Sequence, residues 1–139
     1  MKTIPSLGMP GNAEEAIKFY AEALQGEIKG IMRYENMPGG TADPATVGKV
    51  IHGEVVFEGG TLFFSDNFMY EVVPGNQLEL TLDCDSEEQL RALFEGLKKD
   101  ARKITMEPQA TFWGGIYAQL TDKYGTGWGL NFQKEPLPK

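Results

Sequence analysis

Two stretches of the chain repeat apolar residues with helical spacing, and the rest alternates as strands do. In the first stretch Ala13, Ala16, Ile17, Phe19, Tyr20 and Leu24 fall mainly on one face. Asn12 stands where a side chain can cap free backbone N–H groups, and Glu14 and Glu15 occupy the electropositive first turn. Gly26 follows the end, where glycine makes a left-handed C-cap easy. The second helix starts from Ser86 as N-cap, runs through Glu87 and Glu88, and buries Leu90, Leu93, Phe94 and Leu97. Strands are predicted at residues 3–9, 27–34, 49–57, 61–65, 77–83, 101–106, 116–122 and 127–133, with tight turns at Glu58-Gly59-Gly60 and Lys123-Tyr124-Gly125.

The order is strand, helix, three strands, and then the same again, which is an internal repeat. Asn12-Ala13-Glu14-Glu15-Ala16 answers Ser86-Glu87-Glu88-Gln89-Leu90, and the hairpin at Gly59-Gly60 answers the one at Gly125. The expected organisation is one domain, 1–139, of two βαβββ modules at 1–67 and 76–133, with a crossover at 68–75 and a tail at 134–139. The fold class is α+β, with mostly antiparallel curved sheets whose helix-free faces enclose a cavity. Residues 36–48, rich in Gly, Pro, Asp and Thr, are expected to form a mobile loop beside it.

Composition narrows the functions. With 139 residues the chain supports a real core. With 13 Lys plus Arg against 20 Asp plus Glu its net charge is −7, which disfavours nucleic acid, whose binding draws on Lys and Arg. Cys84 is the only cysteine and His52 the only histidine, so neither an internal disulfide nor a zinc site of Cys and His ligands can form. The N-terminus lacks a signal peptide's apolar region and no stretch is long enough to span a membrane, so a cytoplasmic location is expected.

Particular segments carry a family resemblance across nearly the whole chain. They are Asn12 to Ala16 with Phe19-Tyr20, Met32-Arg33-Tyr34 with Met37-Pro38, Ile51-His52-Gly53-Glu54, Phe112-Trp113-Gly114, and Leu120 to Gly125 with Trp128. With the element order, they resemble the vicinal oxygen chelate (glyoxalase, bleomycin resistance, dioxygenase) superfamily and its PhnB-like branch, often labelled demethylubiquinone methyltransferase-like. A nucleotide-type methyl donor sits at a glycine-rich turn after the first strand of a parallel sheet. Gly59-Gly60 and Gly114-Gly115 lie in hairpins and corners instead, so the label is read as inherited naming.

The resemblance implies a metal test. Its metal-dependent members hold a divalent ion by side chains from four strands, and the corresponding positions here are Pro5, Phe64 or Ser65, Gln77 and Gly129. At most one amide and one hydroxyl are on offer where several anionic or imidazole donors are needed, so no metal and no cofactor are expected.

Polar groups on the cavity face are the binding candidates. In Gln77-Leu78-Glu79-Leu80-Thr81-Leu82 the leucines share the helix-facing side, and Gln77, Glu79 and Thr81 the other. His52 and Glu54 likewise share a face, so His52, Glu54, Gln77 and Glu79 are candidates for one pocket, with His52 and Glu79 as candidate acid–base groups. Cross-strand pairs on a solvated surface fit the same pattern. Arg33 can clamp a carboxylate or phosphate, or pair with a neighbouring Glu. Asn131 and Ser65 offer polar side chains, and Trp113 or Trp128 a wall for a flat ligand, with core packing or a dimer contact as the alternative. Cys84 precedes a helix N-terminus, which can lower a thiol pKa, but has no evident base and is read as inert.

The leading expectation is a metal-free protein that binds a small organic ligand between its modules. The alternatives are a glyoxalase-type lyase or isomerase using His52 and Glu79, and a drug-sequestering protein of bleomycin-binding type, whose acidic surface would suit a cationic drug. A homodimer is expected, because single modules leave open sheet edges.

Overall fold

The computed structural model describes residues 1–39 and 43–139. They form two compact units, Met1–Val73 and Pro74–Lys139. The first contains β1 (Ser6–Met9), α1 (Ala13–Ala23), β2 (Glu27–Arg33), a 3-10 turn (Tyr34–Asn36), β3 (Val50–Phe57) and β4 (Gly60–Asp66). The second contains β5 (Glu79–Asp83), α2 (Glu87–Leu97), β6 (Lys103–Ala110), β7 (Gly115–Thr121) and β8 (Gly127–Gln133). The sheets run β1-β4-β3-β2 and β5-β8-β7-β6. In each, the first strand lies parallel beside the last and the remaining pairs are antiparallel, so the repeat read from the sequence is a pair of βαβββ modules. Among the described residues no helix is long and apolar enough to cross a membrane.

Each helix covers one face of its own sheet. Ala13, Ala16, Ile17 and Tyr20 of α1 are fully buried, as is Val55 of β3, and Tyr20 packs on Phe64 of β4 with ring centroids 5.6 Å apart. In the second unit Leu90, Phe94 and Leu97 of α2 are buried together with Ala118, Leu120, Trp128 and Leu130 of the sheet. A buried side chain of this size contributes about 1.5–3 kcal/mol. That outweighs an exposed, solvent-screened pair such as Arg91 with Glu87, at 2.9 Å.

The helix ends depart from expectation in an instructive way. Asn12 makes no side-chain capping bond. Asp66, from the end of β4, accepts from the Ala13 N–H at 2.9 Å and, with its other oxygen, from the Val50 N–H at 2.9 Å. Ser86 does cap α2, its hydroxyl accepting from the Gln89 N–H at 3.0 Å. After α1 it is Gln25 that takes the left-handed conformation, at φ 55°, as Asp100 does beyond α2. Gly26 serves another need: a Cβ there would lie 2.5 Å from the Val56 carbonyl oxygen, so only glycine lets the chain pass β3 this closely.

β1 begins at Ser6, three residues later than expected, and two strands of the second unit are shifted. β5 begins at Glu79, leaving Gln77 and Leu78 outside it and Leu78 80 % exposed, so of the three leucines expected on the helix side only Leu80 and Leu82 lie in the strand, each half-buried. The cause is the partner: Glu79 pairs with Gly127, where β8 begins, and nothing remains for residues 77–78 to pair with. β6 runs to Ala110, past the expected residue 106, and contains Pro108. It is an edge strand with a register shift between Met106 and Gln109, where a missing N–H is tolerated.

Residues 40–42 of the expected 36–48 loop lie outside the described residues. Around them Asp43 accepts from the Val47 N–H at 2.8 Å, and the Glu35 carboxylate accepts from the Gly48 N–H at 3.1 Å.

Candidate functional site

Strand alternation in the second unit separates a helix side from an open side. On β7, Ile116, Ala118 and Leu120 are buried, while Tyr117 and Gln119 project from the other face. There they meet Glu79 of β5: the Tyr117 hydroxyl donates to Oε1 at 3.0 Å and the Gln119 amide to Oε2 at 2.6 Å. Gly129 on the intervening strand makes this possible, since a Cβ there would lie 2.6 Å from the Tyr117 oxygen and would also strike Glu79 Oε1. A carboxylate accepts up to about four hydrogen bonds, so Glu79 keeps acceptor capacity beyond these two. Burial and the bond to Glu79 raise the Tyr117 pKa, which keeps the phenol a donor.

Glu79 and Gln119 line a recess of about 640 Å³ within this unit, whose other walls include Leu78, Thr105, Arg102 and Lys103. Its size is that of a small-molecule site. Gln77 is outside β5, and Asn131 donates to Asp83 at 3.1 Å rather than to Glu79. Trp128 is 1 % exposed and donates its indole N–H to Asp122 at 2.8 Å, so it is core and not a ligand wall. Trp113 is 39 % exposed, edge-on to Phe112, with centroids 4.9 Å apart.

In the first unit His52 and Glu54 share the exposed face of β3, with Nε2 and Oε1 3.0 Å apart and the imidazole edge-on to Phe63. The structure therefore brings His52 to Glu54, and Glu79 to Tyr117 and Gln119, in separate units. Arg33 forks onto Glu14 at 2.8 and 3.1 Å and also donates to the Gly48 carbonyl at 2.9 Å, tying β2 to α1. That hydrogen bonding holds the Glu14 carboxyl below the ordinary glutamate range.

The donors at the four positions that the resemblance to metal-dependent vicinal oxygen chelate proteins implies do not fit a divalent ion. Pro5, Phe64 and Gly129 have no side-chain donor, Ser65 offers a neutral hydroxyl, and Gln77 lies outside the strand. Among the described residues, no three His, Cys, Asp or Glu side chains cluster as a metal site would need.

Cys84 is buried, and burial, with Asp83 and Asp85 alongside, pushes its thiol up to about 11. The helix N-terminus does not lower it. A raised thiol pKa stabilises the fold below the ordinary value near 9, and this contribution is lost as pH rises through the folded value. Reaction with an aromatic disulfide reagent at pH 8 is expected to be at least about tenfold slower in the native protein than in urea, since only the thiolate reacts. Equal rates would contradict this burial.

Two sheets of order first-fourth-third-second, each with one helix, define the fold. The structure of a glyoxalase/bleomycin resistance protein/dioxygenase from Nocardioides shares it at TM-score 0.61 and 14 % identity, covering all of this chain and 89 % of that one. The chain belongs to the 3-demethylubiquinone-9 3-methyltransferase family, whose profile matches residues 1–131. Protein YjdN of Escherichia coli K12 is 28 % identical over 97 % of both chains. Protein PA1353 of Pseudomonas aeruginosa is 26 % identical, with TM-score 0.84 over 97 % of this chain and 99 % of its own. The PhnB protein of Bacillus cereus, described as a putative 3-demethylubiquinone-9 3-methyltransferase, is 29 % identical, with TM-score 0.72 over 95 % and 99 %.

Proposed function

We propose that the chain binds a small organic ligand in the recess on the open face of its second unit, by direct hydrogen bonds and without a bridging metal. The observation that carries this reading is the Glu79 carboxylate, held from both sides by Tyr117 and Gln119 at the wall of the recess with acceptor capacity left over. Preorganised polar groups of this kind fix a ligand's orientation at little cost on binding. Methyl transfer from a nucleotide-type donor is not supported by the strand-to-helix turns. They read Pro10-Gly11-Asn12 and Cys84-Asp85-Ser86, and neither is the glycine-rich turn such a donor requires.

A thermal-shift screen of metabolites tests the proposal. A ligand at about a hundredfold excess over its Kd adds about 2.7 kcal/mol and raises Tm by several degrees. The hits are expected to persist with EDTA and to disappear in Glu79→Ala and Gly129→Ala variants of unchanged circular dichroism. A library that stabilises nothing, hits retained by both variants, or hits abolished by EDTA would each overturn it.

A further inference from the structure

The recess has a second chemical end. Arg102 and Lys103 line it together with Glu79, and both are exposed. The chain has three arginines, of which Arg33 is paired with Glu14 and Arg91 with Glu87. Arg102 differs: its Nε donates to the Lys123 carbonyl at 3.2 Å, and among the described residues no carboxylate pairs with its guanidinium. In a chain of net charge −7, two adjacent cations at a recess without a carboxylate partner form a local anion-attracting spot.

The spacing of the two ends follows from the backbone. The Arg102 guanidinium lies against Gly125, and the Glu79 carboxylate against Gly129. Four residues of extended chain span at most about 14 Å. A molecule of several carbon atoms, with a hydrogen bond of about 2.8 Å at each end, fits within that span.

We propose that the ligand of this recess is a short organic acid with a hydroxyl or ammonium group several carbons from its anionic group. The anion is held by Arg102 and Lys103, and the donor by the free lone pairs of Glu79. This rests on the binding reading above and adds the class of ligand. A planar guanidinium with unused N–H groups suits a carboxylate, and an ionised Glu79 accepts and does not donate.

The test is titration of 15N-labelled protein with 4-hydroxybutyrate and 5-aminovalerate, following the Gly125 and Gly127 amides, with butyrate and 1,4-butanediol as probes that each lack one end. Both two-ended probes are expected to shift these amides saturably. Each one-ended probe should bind about tenfold more weakly or worse, the loss of one charge-assisted hydrogen bond. Arg102→Gln should weaken both two-ended probes about tenfold, and Glu79→Gln should weaken 5-aminovalerate more than 4-hydroxybutyrate. If neutral screening hits move Gly125 and Gly127 while the acids do not, the class of ligand is wrong and the binding site stands. If no compound moves them, both readings fall.

Discussion

Replacing Asp66 by alanine is expected to destabilise the protein by about 3 kcal/mol, because two buried N–H groups each lose their acceptor at about 1–3 kcal/mol. Asp66 is 2 % exposed, and its two oxygens serve separate donors, Ala13 at the start of α1 and Val50 at the start of β3. Asp66→Asn keeps one acceptor oxygen and turns an amide N–H toward the other donor, so it should fall between wild type and alanine. Asn12→Ala is the contrasting control. Asn12 holds the N-cap position but makes no cap bond, and its Oδ1 is buried without a partner, so its loss should cost little or stabilise. Urea unfolding followed at 222 nm measures all three. A loss below about 1 kcal/mol in Asp66→Ala, or a larger one in Asn12→Ala, would show that the cap has been misassigned.

A comparable loss is expected in the second unit for Asp122→Ala. Asp122 is fully buried. One oxygen accepts from the Tyr124 and Thr126 N–H groups at 2.8 and 3.1 Å, and the other from the Trp128 indole at 2.8 Å. Removing the carboxylate leaves three donors short at the turn between β7 and β8, and we expect about 3 kcal/mol. Trp128→Phe keeps most of the buried ring area and removes only the indole donor. The two changes share one hydrogen bond, so the double variant should be less destabilised than the sum by about 1 kcal/mol. Strict additivity in the same urea experiment would mean that the indole bond contributes nothing.

The helix faces, the two hairpins and the repeated element order were legible because burial periodicity is written over a few neighbouring residues. Leu90, Phe94 and Leu97 lie where their spacing puts them. The α1 cap was not legible, since Asp66 is 53 positions from Ala13 and nothing local distinguishes it from any other strand-end aspartate. Leu78 misled because alternation describes a strand only where a partner exists, and β8 starts too late to provide one. At the candidate site, Glu79 is readable from parity on β5, and Tyr117 and Gln119 follow the same alternation on β7, where only their contact with Glu79 sets them apart. Arg102 left no periodic signal, for its position depends on how β6 is placed beside the Gly125 turn. Arg33, by contrast, sits in the ion pair that its sequence context allowed.

The parallel pairing of β1 with β4 also governs the order in which the first unit can be completed. Its first strand has no neighbour, and the start of its helix no acceptor, until Asp66 has been made. At about 5–20 residues per second, the 53 positions from Ala13 to Asp66 take a ribosome about 3–10 s. During that interval the apolar side of α1 has no finished sheet to cover it, and truncation before residue 66 removes the closing element and not merely a strand.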